Sequence, residues 1–174
     1  MTKYIAAPTG RLSPMGEEEL IVSKTDPKGR ITYANDVFVR VSQFKLRELI
    51  GAPHSIVRHP DMPRAVFKLL WDTIEAKQEI FAYVLNMAKT GDHYWVLAHV
   101  TPSFDSAGNI IAYHSSRRKP DADQIAKVKP IYDLLLTEEA KFEDRKAGME
   151  SAFSKLVGML QDMRMSYDEF VFSI

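Results

Sequence analysis

Hydrophobic residues along this chain recur at more than one spacing, and each spacing predicts a type of secondary structure. Short apolar runs near residues 20 and 32 flank the turn signal Asp26-Pro27-Lys28-Gly29, which predicts a β-hairpin. Apolar positions then follow a helical period up to residue 77, and the pattern becomes that of strands from residue 80 to residue 116. The predicted strands are 19–25, 31–34, 80–87, 93–104 and 110–116, and the predicted helices are 36–42, 46–50 and 62–77. This order predicts an α+β fold, a five-stranded antiparallel sheet with short helices on one face.

The last third of the chain returns to a helical pattern. One helix is predicted after Asp121 or Asp123, and Pro130 is expected to bend it or to limit its first turn. A second amphipathic helix is predicted over 146–163, and the apolar ending at 167–174 is interpreted as a docking strand or peptide. These helices have an apolar side to bury, either against their own domain or against another chain.

Length and composition allow one core with an extension. The chain has 174 residues, of which 45% are hydrophobic and 26% charged, and this is too short for two ordinary domains. The first eighteen residues contain prolines and glycines without an apolar period, which is typical of an irregular arm. We therefore divide the chain into an N-terminal arm (1–18), a central domain (19–119) and a C-terminal helical extension (120–174).

Charge and hydropathy disfavour several partners. Lysine plus arginine equals aspartate plus glutamate, 23 against 23, so the net charge does not indicate nucleic acid. No stretch reaches the roughly 18 to 20 apolar residues that cross a bilayer, and the N-terminal segment lacks the apolar centre of a signal peptide. A cytoplasmic location without direct membrane insertion is expected. The absence of cysteine excludes thiolate metal sites and thiol switches.

Three polar motifs stand out from this background. Residues 51–63, GAPHSIVRHPDMP, place two histidines, an arginine and an aspartate between prolines, in a loop of the kind that serves a ligand or a switch. The motif D-x-x-G-x-I-x-x-A-N precedes it at 26–35, and G-D-H-Y-W follows it at 91–95. Over about residues 21–132 the chain resembles the sensor domain of Aer-type aerotaxis transducers, a branch of the PAS superfamily. The resemblance implies a PAS fold and a non-catalytic ligand sensor, commonly one that binds a flavin.

The resemblance also implies a pocket between the sheet and the short helices. The matching positions, implied to bind a cofactor, are Asn35, His54, Arg58, His59, Asp61, Phe67, Trp71 and Trp95. Flavin adenine dinucleotide (FAD) needs flat apolar walls, which Phe67 and Trp71 offer, and cations for its pyrophosphate, which Arg58 and a histidine offer. Each aromatic residue can instead be ordinary core. Asn35 can simply cap a helix, and Arg58 can pair with Asp61.

The chain departs from the Aer pattern at two places. Where such sensors carry Pro-Trp this chain has Glu79-Ile80, and at the Asn of their W-V-R-A-N run it has His99. Because alternate residues of a strand share a face, His99 lies on the same face as Trp95. If that face borders the pocket, His99 contacts the ligand, either as a donor to a flavin edge or as an axial ligand of haem iron. The other candidate haem ligands are His54 and His59.

Metal and enzyme chemistry find no support in the motifs. The five histidines have no compact ligand spacing, and no nucleotide-binding, hydrolase or kinase motif is present. The sequence therefore predicts a cytosolic PAS sensor that holds FAD noncovalently and reports redox or oxygen status to a separate partner, a membrane chemoreceptor or another signalling protein. A homodimer is also expected. Two alternatives stay open, a gas sensor that binds haem b and a cofactor-free module for protein interaction or dimerisation.

Overall fold

The structure, a computed structural model that describes residues 6–174, is built on a five-stranded antiparallel sheet with the strand order β2-β1-β5-β4-β3. Its strands are β1 (Leu20–Thr25), β2 (Ile31–Ala34), β3 (Ile80–Met87), β4 (His93–Phe104) and β5 (Ile110–Arg118). The β1–β2 hairpin turns through Gly29 at a φ of 76°, a value that glycine adopts without strain. Strand β5 pairs with β1 on one side and β4 on the other, so the last strand of the chain lies at the centre. The predicted fold class is confirmed.

Three helices and a 3-10 turn lie between β2 and β3 in sequence and pack on one face of the sheet, which we call the inner face. They are α1 (Asp36–Ser42), α2 (Leu46–Leu49), the 3-10 turn His54–Val57 and α3 (Arg64–Glu75). Phe38 and Val41 of α1 are fully buried, and so are Ala65 and Val66 of α3. These apolar side chains share one core with the sheet, which positions α3 and the 3-10 turn across its inner face.

The C-terminal extension forms three further helices. They are α4 (Ala122–Glu139), α5 (Arg145–Asp162) and α6 (Tyr167–Ser173). Helix α4 continues through Pro130 over eighteen residues, so the proline does not limit it to a short segment. The interpretation of 167–174 as a strand or peptide is wrong, because Ser166 and Glu169 form a capping box that begins α6. The S-x-x-E spacing at 166–169 was the available signal.

The extension packs against its own domain. Helices α4 and α6 lie on the opposite face of the sheet, which we call the outer face, and α5 packs against α3 and α4. Tyr132 of α4 donates a hydrogen bond to the carbonyl of Tyr83 at 2.6 Å. Phe172 of α6 contacts the ring of Phe81, with ring centres 4.8 Å apart. Apolar residues of α4, α5 and α6 belong to the same core as the sheet. The predicted boundaries at residues 19 and 120 therefore separate segments that share a core, and they stay a proposal about organisation.

The N-terminal arm is attached to the β3–β4 turn, where the G-D-H motif lies. Asp92 accepts hydrogen bonds from the side chains of Thr9 and Arg11, and His93 exchanges backbone hydrogen bonds with residues of the arm. Gly91 has a φ of 94°, and a Cβ there would lie 2.1 Å from the carbonyl oxygen of Ala7. The motif thus serves to hold the arm. The first five residues of the predicted arm lie outside the described part of the chain.

Candidate functional site

A cavity of about 260 Å³ lies between the inner face of the sheet and α3. The sheet lines it with side chains that include Ser23, Val84, Asn86, Ala98, Ser115 and Arg117. The other wall includes the 3-10 turn and α3, and it carries four of the predicted site residues, His54, Arg58, Phe67 and Trp71. The structure therefore brings these four together around one cavity, in the position where the sequence predicts a pocket.

Aromatic side chains form the apolar wall of the cavity. Trp71 meets the ring of Tyr113 edge to face, with ring centres 5.6 Å apart. Gly29, in the β1–β2 turn, lies so close to Trp71 that a Cβ there would be 3.0 Å from the indole. The turn of the D-x-x-G motif thus leaves space for the indole, and a larger residue at Gly29 would displace it. Flat aromatic walls of this kind suit a planar ligand.

Arg58 is one of two arginines at the cavity. Its guanidinium lies over the ring of Phe67, 3.9 Å from the ring centre. Burial is the main reason that its pKa is lowered, and repulsion from Arg145 adds to the effect. Nε of Arg58 finds no hydrogen-bond partner among residues 6–174. The alternative pair with Asp61 does not form, because Asp61 lies beside His59 instead.

Arg117 is the second arginine, and sequence analysis missed it. It is 2% exposed, and its guanidinium lies 4.5 Å from the ring centre of Phe38. Nη2 donates a hydrogen bond to Oγ of Ser23, while Nε and Nη1 find no partner in the described part of the chain. Burial lowers its pKa to about 10, so the side chain is still charged at neutral pH. Alternation along β5 could have identified it, since Arg117 shares a face with Tyr113 and Ser115.

His54 is neutral in this environment. Its Nε2 lies 3.2 Å from Oγ of Ser23, and its ring stacks on Phe38 with ring centres 5.8 Å apart. Burial, followed by repulsion from Arg117, lowers the pKa of His54 to about 3. A neutral imidazole does not compensate the charge of the neighbouring arginine. His54 can therefore act as a hydrogen-bonding group and not as a counter-charge.

The cavity is consequently apolar and positively charged. Arg58, Arg117 and Lys28 line it, and no aspartate or glutamate is among its described lining residues. Buried charges in proteins are ordinarily paired, and an unpaired buried charge is costly. The arrangement suits a flat ligand that carries negative charge or several hydrogen-bond acceptors.

Asn35 does not line this cavity, and it is the N-cap of α1. Its Oδ1 accepts hydrogen bonds from the backbone N–H groups of Val22 and Phe38, both at 3.0 Å, and its Nδ2 donates to the carbonyl of Leu20 at 2.8 Å. These three hydrogen bonds engage both the oxygen and the nitrogen of its side-chain amide. Asn35 therefore has the role of a helix cap that also ties α1 to β1.

His59, Asp61 and Trp95 lie around a second cavity of about 400 Å³, which the arm, the outer face and α4 enclose. His59 is buried, and its Nδ1 accepts a hydrogen bond from the backbone N–H of Asp61 at 3.0 Å. Burial lowers the pKa of His59 despite the opposing effect of Asp61. Arg58 forms an isolated antiparallel bridge with Asn86 at the edge of β3. Because successive residues of an extended segment point to opposite faces, Arg58 lines the first cavity and His59 lines the second.

The expectation that His99 faces the pocket is wrong. The pocket-facing set of β4 includes Ala98 and Val100, whereas His99 lies on the outer face. Its ring stacks on Phe81, with ring centres 4.1 Å apart and planes 2° apart, and its Nε2 lies 2.6 Å from Oε2 of Glu79. Of the three candidate haem ligands, His54 alone lines the cavity. No group of three residues that could hold a metal ion occurs within residues 6–174.

The cavity lies between a five-stranded antiparallel sheet and short helices, and comparisons with known proteins identify the family of this α+β fold. A family model described as the PAS fold matches residues 31–117. The aerotaxis receptor of Escherichia coli (strain K12) is 42% identical over 127 residues, which cover 73% of this chain and 25% of that protein. The chain belongs to the PAS family, and its PAS region is similar to that of the aerotaxis receptor.

More distant relatives share parts of the same region. The nitrogen fixation regulatory protein of Klebsiella pneumoniae is 26% identical over 102 residues, which cover 59% of this chain and 21% of that protein. The dark structure of the Aureochrome1 LOV domain, a blue-light photoreceptor, matches with a TM-score of 0.54 and 27% identity, covering 69% of this chain and 84% of that one. The chain spans about a quarter of the length of the aerotaxis receptor. No helix within residues 6–174 is long and apolar enough to cross a membrane.

Proposed function

We propose that this chain is a flavin-binding PAS sensor that reports redox or oxygen status to a signalling partner. The observation that carries the proposal is the cavity itself, which combines aromatic walls with two arginines, each of which has at least one N–H group without a hydrogen-bond partner among residues 6–174. A flavin has a planar ring with acceptor atoms along one edge and, in FAD, a pyrophosphate. It would supply a two-electron redox group.

The residues around the cavity fit such a group. Phe67 and Trp71 would hold the ring between apolar surfaces, and Asn86 and Ser115 offer hydrogen bonds at the sheet. The cavity volume of about 260 Å³ lies below the roughly 300 to 1,000 Å³ of common ligand pockets. It would enclose a ring system and leave the adenosine of FAD outside. Arg58 and Lys28 line the cavity and would offer positive charge to the pyrophosphate.

The relatives support the flavin and the signal in different ways. A solved structure whose title describes a flavin analogue in a light-oxygen-voltage domain has a TM-score of 0.56 at 22% identity, which supports a fold able to hold a flavin. The name of the aerotaxis receptor points to oxygen-directed movement, and it supports a membrane chemoreceptor or another signalling protein as the partner. Cytoplasmic location and a homodimer stay predictions, and sedimentation of the purified chain would measure the second.

An ion pair between α3 and α4 supports a route from the cavity to the extension. Arg64, at the start of α3, is bound to Glu139 at the end of α4, and Lys68 of α3 lies 3.9 Å from Glu150 of α5. A ligand that shifts α3 would therefore move groups that contact both helices. A ligand changes such an equilibrium only through contacts that differ between the two states.

An absorption spectrum tests the proposal most directly. The protein is purified without added cofactor and then mixed separately with FAD, with flavin mononucleotide and with haemin. Bound flavin, with FAD bound more tightly than the mononucleotide, is the expected result. A Soret band would favour the haem alternative with His54 as ligand, and a protein that binds none of the three would favour the cofactor-free module.

The two tryptophans provide a matched pair of variants. Trp71 lines the cavity, whereas Trp95 lies on the outer face beside Tyr132. Trp71→Ala should weaken FAD binding at least about fivefold, because aromatic stacking contributes about 1 kcal/mol beyond area burial. Trp95→Ala should leave FAD affinity unchanged. Equal losses in both variants would contradict the proposed location.

A further inference from the structure

Arg117 is a buried cation for which the protein supplies no counter-charge. Its one described side-chain partner is Oγ of Ser23, a neutral hydroxyl. Nε and Nη1 make no hydrogen bond to any described residue, although the side chain is 2% exposed and lines the cavity. Such an arrangement is unfavourable for the protein by itself and favourable once an acceptor enters the cavity.

The surroundings of Arg117 exclude a hidden partner among the described lining residues. The neighbouring His54 is neutral, Ser23 is shared between His54 and Arg117, and no carboxylate lines the cavity. The aromatic ring of Phe38 stabilises a cation only modestly, by about 1 to 2 kcal/mol when desolvated. The charge of Arg117 therefore remains available to a ligand.

We propose that Arg117 is a ligand-binding residue that favours negative charge in the cavity, so that the pocket binds reduced, anionic flavin more tightly than oxidised flavin. This inference rests on the proposed function. Uptake of two electrons and one proton gives the flavin ring one negative charge, and the electrons come from a reductant. Because a cation interacts more strongly with an anion in a low-dielectric site than in water, burial strengthens the preference.

Three variants test this role. Arg117→Met removes the charge and keeps much of the apolar volume, and Arg117→Lys keeps the charge but loses the planar fork. Arg118→Met is the matched control, since Arg118 is the next residue and is exposed on the outer face. Affinities for oxidised FAD and for FAD reduced with dithionite are measured without oxygen for each protein.

We expect the ratio of the two affinities to fall at least about tenfold in Arg117→Met, toward weaker binding of reduced FAD. A tenfold change corresponds to a reduction potential about 30 mV lower for a two-electron couple. Arg117→Lys should keep most of the preference, and Arg118→Met should keep all of it. An unchanged ratio in Arg117→Met would overturn the inference and leave flavin binding standing, whereas a wild-type protein that binds no flavin in either state would overturn the proposed function as well.

The stability of the ligand-free protein distinguishes a ligand-binding role of Arg117 from a purely structural role, because the two roles predict opposite changes in Arg117→Met. If Arg117 serves the ligand, ligand-free Arg117→Met should be at least as stable as the wild type, because an unpaired buried charge has been removed. Its stabilisation by reduced FAD should be smaller than that of the wild type. Lower stability of ligand-free Arg117→Met, with Arg118→Met unaffected, would identify Arg117 as structural and overturn the inference. If Arg117→Met does not fold, Arg117→Gln, which also removes the charge, replaces it in the same comparison.

Discussion

Nε2 of His99 and Oε2 of Glu79 lie 2.6 Å apart on the outer face of the sheet. These are two of the three positions at which the sequence departs from the Aer pattern, and they form one contact. The ring of His99 also stacks on Phe81, which Phe172 of α6 contacts from its edge. Glu79 and His99 thus belong to the surface that supports the extension, whereas Ile80 packs with Ile74, Val100 and Tyr113, which line the cavity.

We expect His99→Ala to leave FAD affinity and the flavin spectrum unchanged and to loosen α6. The reason is that His99 lies on the opposite face from the cavity and contributes to the stack below Phe172. Hydrogen exchange should show faster exchange of the α6 amides in the variant, with α3 as the internal control. A shifted flavin spectrum with unchanged α6 protection would contradict this placement.

The Glu79–His99 pair itself should contribute little to stability. The two side chains are 60% and 35% exposed, and exposed pairs typically contribute about 0.2 to 1 kcal/mol. A double-mutant cycle with Glu79→Gln and His99→Asn, followed by urea unfolding, measures the coupling. A coupling energy well above 1 kcal/mol would mean that the contact is better shielded than its exposure indicates.

Glu139→Gln should destabilise the protein by about 2 kcal/mol, because hydrogen bonds to charged groups contribute roughly 1.5 to 3 kcal/mol. Glu139 is buried and accepts hydrogen bonds from Nε of Arg64 at 2.7 Å and from the backbone N–H of Ala65 at 2.9 Å. Urea unfolding measures the change. Glu143→Gln, at an exposed position between α4 and α5, is the control and should remain within about 0.5 kcal/mol of the wild type. Equal effects of the two substitutions would show that the Arg64–Glu139 pair does not hold α3 to α4.

His54 should make folding less favourable in acid. Burial lowers its pKa to about 3 in the folded protein, against about 6.5 in the unfolded chain, so the unfolded state binds the proton first as the pH falls. This contribution is complete above pH 6.5 and is lost progressively between pH 6.5 and the folded pKa. One such group changes the unfolding free energy by at most about 1.4 kcal/mol per pH unit.

Unfolding free energies at pH 7 and pH 5 measure this effect in the wild type and in His54→Gln. The carboxylates titrate similarly in both proteins and cancel in the comparison. The wild type should lose up to about 2 kcal/mol more than the variant over this interval. Parallel pH profiles would show that His54 takes up a proton in the folded state.

Gly91→Ala should release the N-terminal arm from the β3–β4 turn. Both Gly91 and Gly108 have positive φ, at 94° and 80°, but a Cβ at Gly91 would overlap the carbonyl of Ala7 while a Cβ at Gly108 would meet open space. Gly108→Ala therefore isolates the backbone cost, about 1 to 2 kcal/mol. We expect a larger loss for Gly91→Ala, together with faster proteolysis within the arm. Equal losses and equal proteolysis would show that the arm tolerates the overlap by shifting.

Local patterns in the sequence determined most of the secondary structure and part of the site. The turn at residues 26–29, the cap at Asn35 and the strand alternation act over a few residues, so they can be read without knowledge of the fold. His54, Arg58, Phe67 and Trp71 were placed at the pocket because the resemblance gives the order of the motifs around it. The five strands were predicted from the sequence, but the order in which they pair in the sheet was not.

Tertiary structure decided which face of each strand meets the cavity. Alternation along β4 places Ala98 on one face and His99 on the other, but the residues of both faces include apolar side chains. Only the packing of α3 on one face and of α4 on the other decides which face borders the cavity. For the same reason, the sequence does not distinguish Arg117 from Arg118. The two neighbouring residues are both arginines, yet Arg117 is buried in the cavity wall and Arg118 is exposed. Contacts between residues distant in sequence, such as β1 with β5, set these orientations, and no short-range pattern carries that information.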